Sequence, residues 1–94
     1  MIRIMADITD NTAAGRFELI EQDLIAYADY RLSDDRMIID YVFSPPELRG
    51  AGTAGRLMQG VADAARARAL KITPLCGYAA AWLKRHPGTS DLVA

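Results

Sequence analysis

The chain has one cysteine, Cys76, and one histidine, His86, among its 94 residues. A lone thiol cannot close an internal disulfide, which suits a reducing compartment and points to the cytoplasm. No metal site is expected. Long apolar runs are missing too, and nothing approaches the roughly 20 residues that span a bilayer. Charge of either sign is not in excess. The chain carries 11 Lys and Arg against 12 Asp and Glu, a net charge of −1, so no broad field draws in nucleic acid or an anionic membrane. The first residues set Arg3 and Asp7 among apolar neighbours, unlike a secretory leader. There is no internal repeat, linker or low-complexity tract, and the length predicts one domain over residues 1–94.

What is present centres on Leu48-Arg49-Gly50-Ala51-Gly52-Thr53-Ala54-Gly55-Arg56-Leu57. This stretch follows a β-branched apolar segment, Met37 to Phe43, and opens an Ala-rich helical pattern. A glycine turn feeding a helix start leaves backbone N–H groups converging on one spot, with the helix dipole adding positive character. Such a turn is a seat for an anion, most often a phosphate. Arg49 and Arg56 add mobile positive charge on either side. The alternative is a glycine turn that holds nothing.

Two phosphate-binding folds are excluded by further absences. Gly50-x-Gly52-x-x-Gly55 matches the dinucleotide fingerprint in letters. Pro45-Pro46, however, separates strand from glycines, and no acidic residue stands between Asp63 and Asp91 to bind a ribose. A Walker loop requires Lys-Ser or Lys-Thr after the last glycine, and neither follows Gly55.

Taken in order, the chain reads as strands first. Ile2, Ile4, Ala6 and Ile8 alternate with Arg3, Met5 and Asp7, the period of a half-buried strand. Asp10-Asn11 through Gly15 is turn chemistry. Arg16 to Glu21 alternates again, then Leu24 to Tyr30, then Met37 to Phe43, with Met37, Ile39, Tyr41 and Phe43 on one face. Short turns between them predict a four-stranded antiparallel meander. Pro45 and Pro46 forbid further ladder pairing. Leu57, Val61, Ala65 and Ala69 form the apolar stripe of a helix that packs on the core. Lys71 to Leu75 predicts a fifth strand, and Gly77 to Arg85 a second helix stopped by Pro87-Gly88. The expected fold class is α+β, a mostly antiparallel sheet with two helices.

The arm Arg49-Gly50-x-Gly52-x-x-Gly55 after a short Pro-containing loop resembles the pyrophosphate arm of GNAT-type (Gcn5-related) N-acetyltransferases. The resemblance extends through Phe17-Glu18-Leu19, Ala26-Tyr27-Ala28-Asp29-Tyr30, Pro46-Glu47-Leu48-Arg49-Gly50, Ile72-Thr73-Pro74-Leu75-Cys76-Gly77-Tyr78 and Arg85-His86-Pro87. These recur in that order in a small single-domain branch with a Pro-x-Cys-x-Tyr motif. The resemblance implies the minimal acyl-CoA N-acetyltransferase fold, with acetyl-CoA (coenzyme A) as cofactor. It implies transfer of an acetyl group to an amine, either a small amine or an exposed protein amine. It also implies that Arg49, Gly50, Ala51, Gly52, Thr53, Ala54 and Gly55 hold the pyrophosphate. The main chains of Val42, Phe43 and Ser44 would receive the pantetheine arm like an added strand. A CoA or acyl-CoA binding module without turnover is the alternative from another class.

Acetyl transfer needs a thioester held still, a basic nucleophile and a proton source for the departing thiolate. Cys76 stands just before the helix expected at Gly77, where the dipole lowers a thiol pKa, and could be a covalent nucleophile or proton relay. A small buried apolar side chain is its other reading. Tyr78 is an alternative acid, or else an aromatic packing with Trp82 one turn on. His86 fits a C-terminal dipole partner better than a base. Lys84 and Arg85 are candidate contacts for CoA phosphates. In one respect the sequence departs from the branch. Its members often carry a histidine on the fourth strand, where this chain has Asp40 or Tyr41.

Overall fold

The computed structural model describes residues 2–5, as backbone, and residues 8–94. Six strands form one sheet: β1 (Ile2–Met5), β2 (Ile8–Asn11), β3 (Arg16–Glu21), β4 (Leu24–Ser33), β5 (Arg36–Phe43) and β6 (Lys71–Pro74), in sequential order. Helices α1 (Thr53–Ala67) and α2 (Gly77–Arg85) complete the chain with two 3-10 turns, Pro46–Leu48 and Pro87–Leu92. Neighbouring strands are antiparallel except β5 and β6, which run parallel, as the crossover through α1 requires. The fold class is the expected α+β. No helix among the described residues is long and apolar enough to cross a membrane.

Two local expectations are corrected. The alternating run from Ile2 to Ile8 is two strands rather than one. β1 and β2 pair with each other, Ile2 opposite Asp10 and Met5 opposite Ile8. Ala6 and Asp7, and the side chains of Ile2 and Ile4, lie outside the described residues. Asp10 and Asn11 belong to β2 and not to the turn. Asp10 is wholly buried, accepting from the Tyr30 hydroxyl at 2.6 Å and pairing with Arg68 at the end of α1. A buried carboxylate needs such partners. The same site pushes the Tyr30 phenol pKa up, first through burial and then through the Asp10 hydrogen bond.

The core lies between one face of the sheet and the helices. Phe17 and Leu19 of β3, Ala26 and Ala28 of β4, and Met37 and Ile39 of β5 meet Leu57, Val61 and Ala65 of α1. Trp82 and Leu83 of α2 and Ile72 of β6 close it. Leu57, Val61 and Ala65 of the expected stripe are thus packing, as the 3.6 period dictates, but Ala69 lies past the end of α1, exposed and at φ +56°.

A β-bulge reverses the outer half of β5. Asp29 pairs with Tyr41 but Tyr30 pairs with Ile39, which leaves Asp40 as the extra residue. One extra residue exchanges the faces of everything beyond it. Met37 and Ile39 are wholly buried, whereas Tyr41 is 49 % exposed and Val42 takes the core side. The expectation that Tyr41 and Phe43 share the face of Met37 and Ile39 therefore fails. Their rings stand instead beside Tyr27, with centroids 6.3 and 5.2 Å from its own.

Candidate functional site

The sheet opens where β5 and β6 part. Their pairing runs from Arg36 opposite Lys71 to Ile39 opposite Pro74. Pro74 has no N–H with which to continue a ladder. Leu75 and Cys76 both donate to the Ile39 carbonyl, at 2.9 and 3.2 Å, and the chain then turns into α2. Beyond Ile39, β5 continues on β4 alone, Val42 opposite Ala28 and Phe43 opposite Tyr27. The edge of Val42, Phe43 and Ser44 that faces away from β4 borders a cleft.

The glycine turn forms the other wall. Leu48 is buried and anchors the preceding 3-10 turn, and the Ala51 amide donates to its carbonyl at 3.1 Å. Gly50 and Gly52 then take left-handed backbone, φ +86° and +80°, which an L side chain resists. Gly52 caps α1, whose first helical bond is Arg56 N–H to Gly52 carbonyl at 3.0 Å. The amides of Thr53, Ala54 and Gly55 precede that bond, and no side chain caps them. At Gly55 an added Cβ would come within 3.6 Å of Trp82 Nε1, so this glycine also brings α1 close to α2.

Between these walls lie two adjoining clefts. One, of about 320 Å³, is lined by Ser44, Leu48, Arg49, Gly50, Gly52, Thr53, Ala54, Gly55 and Tyr78. The other, of about 280 Å³, is lined by Tyr41, Val42, Phe43, Ser44, Arg49, Ala54 and Tyr78. Tyr78, in the first turn of α2 and 37 % exposed, stands at their junction with Ser44, Arg49 and Ala54. The expected residues on the glycine turn and on the β5 edge are thereby brought together. Ala51 and Cys76 line neither cleft.

The arginines divide. Among the described residues Arg49 spends only its Nε, on the Ser44 carbonyl at 3.3 Å, and it borders both clefts. Arg56 is not the mobile charge expected of it. Its Nε and Nη2 clamp the Glu21 carboxylate at 2.9 and 2.7 Å, while Nη1 donates to the Ala51 carbonyl at 3.0 Å. The buried Thr53 hydroxyl donates to the same carboxylate at 2.6 Å. The Arg56 hydrogen bond, and then that of Thr53, hold the Glu21 pKa below its ordinary value. By tying down the Ala51 carbonyl, this network fixes the turn between the two left-handed glycines. Glu21 carries no local sign of this role, because its partners lie 32 and 35 residues away.

Cys76 caps α2 with extended backbone and packs, half-buried, against the core. Trp82 is 4 % exposed, and its ring stacks on His86 with centroids 3.9 Å apart rather than on Tyr78. His86 Nδ1 meets the Trp82 carbonyl at 2.7 Å, which ties the ring to the end of α2. Lys84 borders an apolar groove with Leu83, Pro87 and Val93, and Arg85 borders a polar one with Asp63 and Arg66. Neither lies on the glycine turn. Asp40 forms a two-point pair with Arg31 at 2.7 and 2.8 Å, a hydrogen bond that lowers its pKa. Tyr41 borders the second cleft.

A family profile described as GCN5-related N-acetyl-transferase matches residues 16–92. The chain belongs to that family. It is an acetyltransferase. Among solved structures, an NMR solution structure of a Staphylococcus aureus protein described as GCN5-like superposes with a TM-score of 0.68. That alignment covers 100 % of this chain and 91 % of the other at 23 % identity, a likeness of fold. No curated protein matches.

Proposed function

We propose that this acetyltransferase binds acetyl-CoA across the two clefts and acetylates a primary amine. The observation that carries the reading is the junction at Tyr78, where a helix start without a cap, an unpaired strand edge and a phenol meet in one open space. The residues fit the cofactor on two further counts. Among the described residues, the Ser44 hydroxyl is buried without a hydrogen-bond partner, and Gly50 has nothing within 4 Å of where a Cβ would stand. When bound, acetyl-CoA supplies an acetyl group activated as a thioester.

In this reading the amides of Gly52, Thr53, Ala54 and Gly55, with the Arg49 guanidinium, bind the pyrophosphate. The main chains of Val42, Phe43 and Ser44 hold the pantetheine amides in the manner of an added strand. The acceptor nitrogen forms its bond to the acetyl carbon as the carbon–sulfur bond breaks, and its own proton passes to water. Tyr78 O–H gives a proton to the departing sulfur. Cys76 remains the alternative as nucleophile or relay, although it packs against the core and lies off the cleft lining. Mass spectrometry after incubation with acetyl-CoA separates the two. An acetyl adduct lost in Cys76→Ala assigns the covalent route, and direct transfer leaves no adduct. Calorimetry with CoA tests the reading itself, since a protein that does not bind CoA refutes both enzyme and binding module.

A further inference from the structure

The helices pack on one face of the sheet, and the other face carries Ile20, Ile25 and Tyr41 at 53, 40 and 49 % exposure. On that face, next to the second cleft, four side chains form a two-by-two array. Asp29 is directly opposite Tyr41, and Tyr27 is directly opposite Phe43. Opposed residues share a face, with Cβ atoms about 5 Å apart. The bulge at Asp40 brings Tyr41 and Phe43 to this side, where Tyr41 also borders the cleft that contains Tyr78. The array therefore begins at the point of transfer.

Its charges do not balance. Arg16 pairs with Glu18 at 2.7 Å, and Arg31 pairs with Asp40. Asp29 is the carboxylate left over, with no ion pair or hydrogen bond among the described residues. The array already seats one cation, since the Arg16 guanidinium lies 4.5 Å over the Tyr27 ring. That cation is neutralised by Glu18. Although Arg16 stands directly opposite Asp29 across β3 and β4, its guanidinium is engaged by Glu18 and the Tyr27 ring, so the half-exposed Tyr41 ring and the half-buried Asp29 carboxylate stand side by side with no bonded partner for Asp29 among the described residues. A ring face beside a carboxylate attracts an ammonium by cation–π and charge together.

We infer that Tyr41 and Asp29 form the acceptor subsite and that the acceptor is a primary alkylammonium, with Phe43 and Tyr27 as the apolar floor. This rests on the transferase reading above. Asp29 draws the cationic acceptor to the mouth of the cleft; the nitrogen gives its extra proton to water there, and the neutral amine, its aliphatic stem lying along Tyr41, then reaches the thioester beside Tyr78. A lysine side chain and a free diamine share this chemistry, whereas an arylamine, neutral at pH 7, lacks it.

The test measures acetyl transfer to an N-terminally blocked lysine peptide, to cadaverine and to aniline, in the wild type and in Asp29→Asn, Tyr41→Leu and Tyr41→Phe. Calorimetry with CoA is run on each protein. The expected result is a rise of tenfold or more in KM for peptide or cadaverine in Asp29→Asn and Tyr41→Leu, with kcat for these acceptors less affected. Tyr41→Phe, which keeps the ring, stays near the wild type, and aniline is indifferent to Asp29→Asn. The arm with the lower wild-type KM identifies the source of the ammonium. Equal losses for aniline and cadaverine, or no loss in Asp29→Asn, overturn the inference while CoA binding stands. If the wild type turns over none of the three, calorimetry of cadaverine and of the peptide with the CoA-saturated protein decides, and no binding overturns the inference. Failure to bind CoA in the first place refutes the transferase reading and is seen separately.

Discussion

Gly50 offers a sharp perturbation because its two consequences separate. Its φ is +86° and nothing stands within 4 Å of an added Cβ. In Gly50→Ala the cost is therefore backbone strain alone, about 1–2 kcal/mol for an L residue in left-handed backbone. In a chain of this size that lowers the melting temperature by roughly 4–8 °C per kcal/mol. Gly50→Asp carries the same strain and adds a carboxylate on the lining of the cleft that the reading gives to the pyrophosphate. The alanine variant thus cancels the folding effect and leaves the charge effect. CoA affinity measured by calorimetry should fall at least tenfold further in Gly50→Asp than in Gly50→Ala, about 1.4 kcal/mol. The difference should shrink with added salt, as screening demands. Equal affinities in the two variants, both still folded, would show that no phosphate sits at this turn.

The network beneath the turn and the rest of the site give further expectations. Tyr78→Phe should keep CoA affinity and lower kcat about 10²-fold, the ordinary contribution of a general acid; an unchanged kcat removes the phenol from the reaction. Because its partners depress the Glu21 pKa below the ordinary 4.5, its contribution to stability is present above that value and fades as pH falls through the folded one. The stability gap between wild type and Glu21→Gln, read by urea unfolding, should accordingly be constant near neutrality and close as pH falls below the ordinary 4.5 and through the lowered folded pKa. A gap independent of pH would refute the ion pair. Arg68→Met leaves the wholly buried Asp10 carboxylate with only Tyr30 among the described residues, and should cost about 3 kcal/mol in urea unfolding. Asp10→Asn in the same background should recover part of that loss.

What could be read in advance was local. The bounds of α2, Gly77 to Arg85, follow from an apolar period ending at Pro87-Gly88. The start of α1 and the left-handed glycines follow from the glycine turn. What could not be read depends on pairing between distant parts of the chain. Glu21 reads as the polar end of a strand, and only the approach of α1 makes it the anchor of Arg56. Asp10 beside Asn11 has turn composition, yet it lies in a strand because Tyr30 and Arg68 satisfy its charge. The bulge at Asp40 has no local signature at all. Alternation from Met37 to Phe43 is unbroken in the letters, and the extra residue shows only against the register of β4.

That bulge and Pro74 explain why the candidate site lies at the parting of two strands and not on a loop. Pro74 ends the parallel pairing at Ile39, and the bulge follows on β5 at the next residue. Past both, β5 is still held by β4, so the freed edge is backed by a paired strand and does not collapse. Backbone groups on such an edge need partners, and water in an open cleft supplies them only until something better arrives. A glycine turn alone would accept any phosphate. A freed strand edge leading from that turn to Tyr78 selects further, because it is satisfied by an extended chain carrying amide groups. The combination discriminates against a compact anion or a flat nucleotide and supports a ligand with phosphate at one end, amides along its length and its reactive group at the phenol. The two interruptions of the sheet thus contribute as much to the proposed specificity as the glycines do.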